Sequence, residues 1–173
     1  MLEMIKLNMT ENNQRQITIL GIGNTLYTDE GLGVHALYEM EKQFESDSLV
    51  QLIDGSTDGM ALLGPVEDTD HLSIIDAINA GKAGGEIIVL QNDEIPAYYG
   101  IKMSIHQLGF QEVLLAAKLR ERFPKNIVMI GMQPTSLELG IGLSDQNAAR
   151  VPELIEKVKQ QVSAWKREHA WTD

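Results

Sequence analysis

Glu30, Asp54, Asp76 and His106 are the side chains of this sequence whose types and spacing could do chemistry. Each acid lies beyond an apolar run with the composition of a strand. One acid at a strand end is unremarkable, because loops are polar. Three in succession mark a candidate site. Two carboxylates and one imidazole suit a borderline divalent cation and leave positions open for water or a substrate group. Calcium would want more oxygens. A cation so held can polarise a carbonyl and lower the pKa of a bound water.

Other chemistries lack their residues. There is no cysteine, hence no disulfide, thiolate metal site or cysteine nucleophile. His-Glu-x-x-His, Gly-x-Ser-x-Gly and the P-loop are absent. A dinucleotide fingerprint fails at its third glycine: Gly21 and Gly23 are followed by Leu26. Asp29 and Glu30 would also repel a pyrophosphate from the helix mouth. The competing reading of these two acids is that one of them caps the following helix. The remaining histidines carry less weight. His35 falls within a helical pattern, His71 opens a strand at the edge opposite the acids, and His169 lies near the chain end, where it reads as solvated.

The elements that must position these groups follow from periodicity. Ile17–Ile22 reads as a buried strand. Val34, Leu37, Met40 and Phe44 mark one face of a helix. Residues 49–53 form a second strand with Asp54 at its end. Met60–Val66 reads as a short helix, and residues 71–76 as a third strand ending in Asp76. Strands alternating with helical segments indicate parallel pairing, which brings Glu30, Asp54 and Asp76 to one sheet edge. The glycine-rich link 77–85 is too short for a parallel crossover. The strand at 86–91 is therefore expected to run antiparallel. Residues 93–105, with Pro96, Tyr98, Tyr99 and Gly100, read as a structured loop that returns His106 to the acidic edge. A helix with Phe110, Val113, Leu114, Ala117 and Leu119 on its apolar face comes next. A fifth strand at 126–131 and a loop at 134–145 with Glu138 exposed follow. A helix over 146–165, with Val151, Leu154, Ile155, Val158 and Val162 inward, closes the chain.

The 173 residues suffice for one domain with a sizeable core. The expected division is a flexible tail over 1–15, a single α/β domain over 16–166 and a C-terminal tail over 167–173. Met4 and Met9 are alternative starts. A net charge of −11 argues against a nucleic-acid partner. No run reaches the roughly 18 apolar residues of a membrane span, and the first residues lack a signal-peptide core. These features read as a cytoplasmic protein with no membrane partner.

The pattern from Gly21 through Asn24, Asp29, Glu30 and Gly33 to Val34 resembles the opening motif of the hydrogenase maturation proteases. The stretches 54–59, 75–77, 92–96, 103–112 and 130–134 are similar to further motifs of that family, in the same order. The nearest likeness is to members serving membrane-bound uptake nickel–iron hydrogenases. The resemblance implies a three-layer α/β/α sandwich on a mixed five-stranded sheet, its fourth strand antiparallel. It implies a metal-binding protease of an aspartic-type endopeptidase family, acting on the precursor of the hydrogenase large subunit. Such an enzyme removes the C-terminal peptide after nickel insertion. The family's metal contacts fall on Glu30, Asp76 and His106. The nickel would be contacted in the precursor, with zinc or cadmium as surrogates. Asp54, Glu30 and Asp76 are the candidate catalytic groups, with Asp54 as general base or substrate contact. Ser56 stands where many members have glycine, and suits that place unless the backbone there has positive φ. Two other readings compete: a non-catalytic, nickel-dependent chaperone of the precursor, and a broad peptidase with its own zinc.

Overall fold

The six residues Ile17–Ile22 form β1, and every one is buried, as expected for a β-branched run sandwiched between two layers. The computed structural model describes residues 16–100 and 105–170. β1 pairs with β2 (Val50–Ser56) on one side and β3 (His71–Ala77) on the other. With β4 (Ile87–Gln91) and β5 (Asn126–Met132), the five-stranded order is β2-β1-β3-β5-β4. All neighbours are parallel except β4, which runs antiparallel to β5. The short link behind β3 dictates this reversal. It is held from outside by Gln133, whose Oε1 accepts the N–H groups of Ala80 (2.9 Å) and Lys82 (3.1 Å).

Alternation along the strands feeds two cores, one on each face. Ile17, Ile19, Ile75 and Ile130 meet α1 (Leu32–Phe44) and the closing helix α6 (Val151–Ala170). Leu20, Ile22, Ile74 and Met129 meet α2 (Leu63–Glu67), α3 (Glu94–Tyr99) and α4 (Ile105–Leu119). This is the expected three-layer sandwich. Each of these side chains contributes about 1.5–3 kcal/mol on burial. A one-turn helix, α5 (Asp145–Ala148), precedes α6. Among the described residues, no helix is long and apolar enough to cross a membrane.

Several expectations need correction. Residues 94–99 are helical rather than an extended loop. Pro96 lies in the first turn, where a missing N–H costs nothing, and Ile95 and Tyr99, one helical turn apart, are both buried. His106 belongs to the start of α4, not to a loop. Leu119 is 76% exposed and is not part of the apolar face. β2 continues through Asp54 to Ser56. The helix expected over 146–165 is two helices, α5 and α6. The second runs to Ala170, so residues 167–170, expected in the tail, are helical. The tail segments 1–15 and 171–173 lie outside the described residues.

Candidate active site

Glu30 sits in a 3-10 turn, Thr28–Gly31, between β1 and α1. Close backbone approach builds that turn. Gly23 has φ +141°, and a Cβ there would lie 2.0 Å from the Glu30 carbonyl oxygen. A Cβ on Gly33 would lie 2.1 Å from the Ile75 carbonyl oxygen and 2.3 Å from that of Ile22. The start of α1 therefore rests directly on the ends of β1 and β3. Glu30 is half-buried there, and its turn packs next to β3, which carries Asp76 near its end. The capping alternative does not hold: neither the 3-10 turn nor α1 has a side-chain cap hydrogen bond.

Asp76 is fully buried at the carboxyl end of β3. Its Oδ1 accepts the Ala77 N–H at 2.8 Å, and its Oδ2 accepts the Gln107 side-chain amide at 3.0 Å. Gln107 also donates to the Ala77 carbonyl at 3.2 Å. These bonds fasten the first turn of α4 to the end of β3. His106 is the preceding residue of that turn; its side chain lies outside the described residues. Tyr98 of α3 completes the wall, its hydroxyl accepting the Asn79 N–H at 3.1 Å. Burial raises the Tyr98 pKa, and the nearby Asp76 charge adds to the rise. Among the described residues, no three His, Asp or Glu side chains could hold a metal ion between them.

Asp54 lies elsewhere. In register it stands opposite Gly21, which stands opposite Ile75. Residues so aligned share a face, and the next residue points to the other face. Asp54 thus shares the α1 face with Ile75, while Asp76 points toward α4. Two strand spacings, about 10 Å, separate the two acids. The Asp54 carboxylate is exposed and engaged. Tyr38 Oη of α1 donates to Oδ2 at 2.7 Å; Ser56 N–H (3.0 Å) and Oγ (2.7 Å) donate to Oδ1. That hydrogen bond and the Asp54 charge push the Tyr38 pKa up. Ser56 has φ +38°, so the condition under which serine fits poorly is met. Its two bonds to Asp54 offset part of the strain.

Asp29 is a structural residue that its sequence position beside Glu30 concealed. Fully buried, its Oδ2 accepts the N–H groups of Thr135 (2.8 Å) and Ser136 (2.9 Å) and the Ser144 hydroxyl (2.8 Å). Its Oδ1 accepts the Ser144 N–H at 2.8 Å. Such bonds to a charged group contribute roughly 1.5–3 kcal/mol each. They lock the loop 134–144 onto the Glu30 turn. Backbone bonds from Thr28 N–H to Gly140 O and from Gly140 N–H to Leu26 O, both 2.9 Å, extend the seam.

Sequence reading missed Gln107, Tyr98 and Tyr38. Gln107 adjoins His106 in a motif already singled out; the tyrosines carried no signal beyond type. His71 lies at the opposite edge, as expected. It is buried, stacks on Trp165 at 5.0 Å, and shares a 3.1 Å hydrogen bond between its Nδ1 and the Asn126 amide.

A family model described as hydrogenase maturation protease matches residues 34–161. A Bradyrhizobium diazoefficiens protein, hydrogenase expression/formation protein HupD, is 43% identical over 130 residues, covering 75% of this chain and 68% of the relative. The Escherichia coli hydrogenase 2 maturation protease is 41% identical over 144 residues, covering 83% and 88%. The solved structure of the hydrogenase maturating endopeptidase HybD from E. coli superposes with a TM-score of 0.81 at 37% identity, covering 86% of this chain and 93% of that one. The chain therefore belongs to the hydrogenase maturation protease family and is a peptidase.

Proposed function

We propose that this peptidase cuts a C-terminal peptide from the precursor of a nickel–iron hydrogenase large subunit after nickel insertion, and that Glu30, Asp76 and His106 contact the nickel carried by that precursor. One observation carries the reading: the Gln107 amide on Asp76 at 3.0 Å ties the backbone of His106 to the buried carboxylate, beside the Glu30 turn. Two carboxylates and an imidazole suit nickel, and zinc or cadmium would substitute in vitro. Holding the metal centre of the precursor fixes the scissile bond against the protease, an entropic contribution to rate. The nickel, as part of the substrate, supplies Lewis-acid polarisation. The chain's own residues grip and orient. Asp76 is aimed by Ala77 and Gln107, and Glu30 by the Gly23 and Gly33 approaches.

Asp54 has a different part in this reading. Its distance from Asp76 and its engagement with Tyr38 and Ser56 suit shaping of the 54–59 loop for substrate contact, not proton transfer at the metal. A net charge of −11 disfavours a nucleic-acid partner. The absence of a membrane-crossing helix among the described residues fits the same assignment, to a cytoplasmic enzyme without a membrane partner.

The deciding experiment incubates purified precursor, with and without bound nickel, and follows the released peptide by mass spectrometry. Release only from the nickel-loaded precursor is expected. Equal release without nickel, or digestion of unrelated peptides, contradicts the proposal. A stable complex with no released peptide marks a chaperone instead.

A further inference from the structure

The locked seam between the Glu30 turn and the loop 134–144 presents an apolar surface for which the fold has no use. Ile141 is 89% exposed, Leu139 77%, Leu26 56%, Leu137 48% and Tyr27 41%. Backbone bonds set Leu26 and Tyr27 beside Gly140, which lies between Leu139 and Ile141: Tyr27 bridges Gly140, and Leu26 O accepts the Gly140 N–H. Leu143 packs against the core between the sheet, α1 and α6, whereas Leu137, Leu139 and Ile141 stay outside. Five such side chains form a patch on the order of a few hundred Å², the size at which exposed apolar surface on a monomer is usually functional.

We propose that this patch is a docking surface for an apolar stretch of the protein substrate adjoining the scissile bond. The inference rests on the peptidase reading above and deepens it. Continuity with the candidate site names the occupant: Leu26 and Tyr27 directly precede the Thr28–Gly31 turn that carries Glu30. A chain held at Glu30 passes over them. Rigidity supports the same choice. The Asp29 carboxylate and the Gly140 bonds have already ordered both loops, so binding incurs little further entropy cost. Apolar anchors on a preformed surface supply affinity and discrimination among precursors, apart from the metal contact that Glu30, Asp76 and His106 provide.

The test is a double variant, Leu139→Asp with Ile141→Asp, beside the milder Leu139→Ala with Ile141→Ala. Both positions are exposed, so melting should match the wild type. Association with nickel-loaded precursor is followed by native mass spectrometry, and initial rates give KM and kcat separately. KM should rise about tenfold or more in the aspartate pair, with weakened complex and unchanged kcat at saturation. The alanine pair should fall between. Wild-type KM and binding in the aspartate pair overturn the inference, as does a loss of kcat at unchanged KM. Wild-type self-association that the variant abolishes assigns the patch to a second copy and also overturns it. If the wild type binds the precursor without cutting, the peptidase reading fails alone, and the patch stands on the binding difference. If it neither binds nor cuts, both fail.

Discussion

Neighbouring carboxylates can have unrelated work, and Asp29 and Glu30 do. Asp29 is sealed under four donors from a loop more than a hundred residues away. Removing it strands those donors in a buried place. Asp29→Ala should lose about 3 kcal/mol or more. Amide hydrogen exchange at Thr135, Ser136 and Ser144 should accelerate before the sheet does; unchanged exchange there contradicts the clamp. Glu30 is half-buried, and neither its 3-10 turn nor α1 has a side-chain cap hydrogen bond. Glu30→Gln should leave melting within about 0.5 kcal/mol of wild type. Processing of nickel-loaded precursor should fall about a hundredfold, the loss a small misplacement of reacting groups brings. His106→Ala should behave likewise. Peptide release at the wild-type rate by either variant would show that the metal contacts are misassigned.

At the scale of elements, the site depends on how closely α1 seats on the sheet. The Gly33 backbone lies where a methyl would enter the carbonyls of Ile75 and Ile22. Gly33→Ala must lift the helix, and with it the Glu30 turn. A cost of about 3 kcal/mol is expected from such overpacking, with cleavage lost. Gly64 in α2 is the control, since nothing lies within 4 Å of its added Cβ. Gly64→Ala should be neutral or stabilise by up to about 1 kcal/mol through helix propensity. Urea unfolding of the two variants measures the contrast. Equal midpoints would mean that α1 is free to shift and that the close seating is incidental.

For the molecule as a whole, the core between the sheet and α3–α4 contains an acid–base liability. The Tyr99 hydroxyl is buried with no hydrogen-bond partner among the described residues. Burial, with the Asp76 charge adding, pushes its pKa well above the ordinary value. In the unfolded chain a tyrosine ionises near pH 10 (about 10). The folded chain keeps the proton longer. This group therefore leaves stability unchanged with pH below that value, and stability falls as pH rises from there toward the folded pKa. Tyr98 acts in the same direction. Tyr99→Phe should be neutral or slightly stabilising at pH 8, because it removes an unsatisfied hydroxyl. It should also flatten the alkaline loss. Urea midpoints at about pH 8 and 10.5 for both proteins decide this, and parallel losses contradict it.

What the sequence determined by itself was local and periodic. β1, the α1 face, the inward residues of α6 and the antiparallel fourth strand were all legible. Side-chain alternation, helical spacing and the reach of a short link depend on neighbours along the chain. The motif order also made the family legible, and the strand pattern placed Glu30 in the turn after β1 and Asp76 at the end of β3. Tertiary structure decided which polar groups meet. The Asp29 clamp joins positions 106 to 115 residues apart, and no local rule distinguishes it from the acid beside it. Asp54 read as a companion of Asp76 because both end strands, yet the register turns them to opposite faces. Pro96 read as a loop residue because its first-turn place appears only once Ile95 and Tyr99 find a core to fill. A hydrogen bond needs its partner within about 3 Å, and chain topology alone delivers that partner.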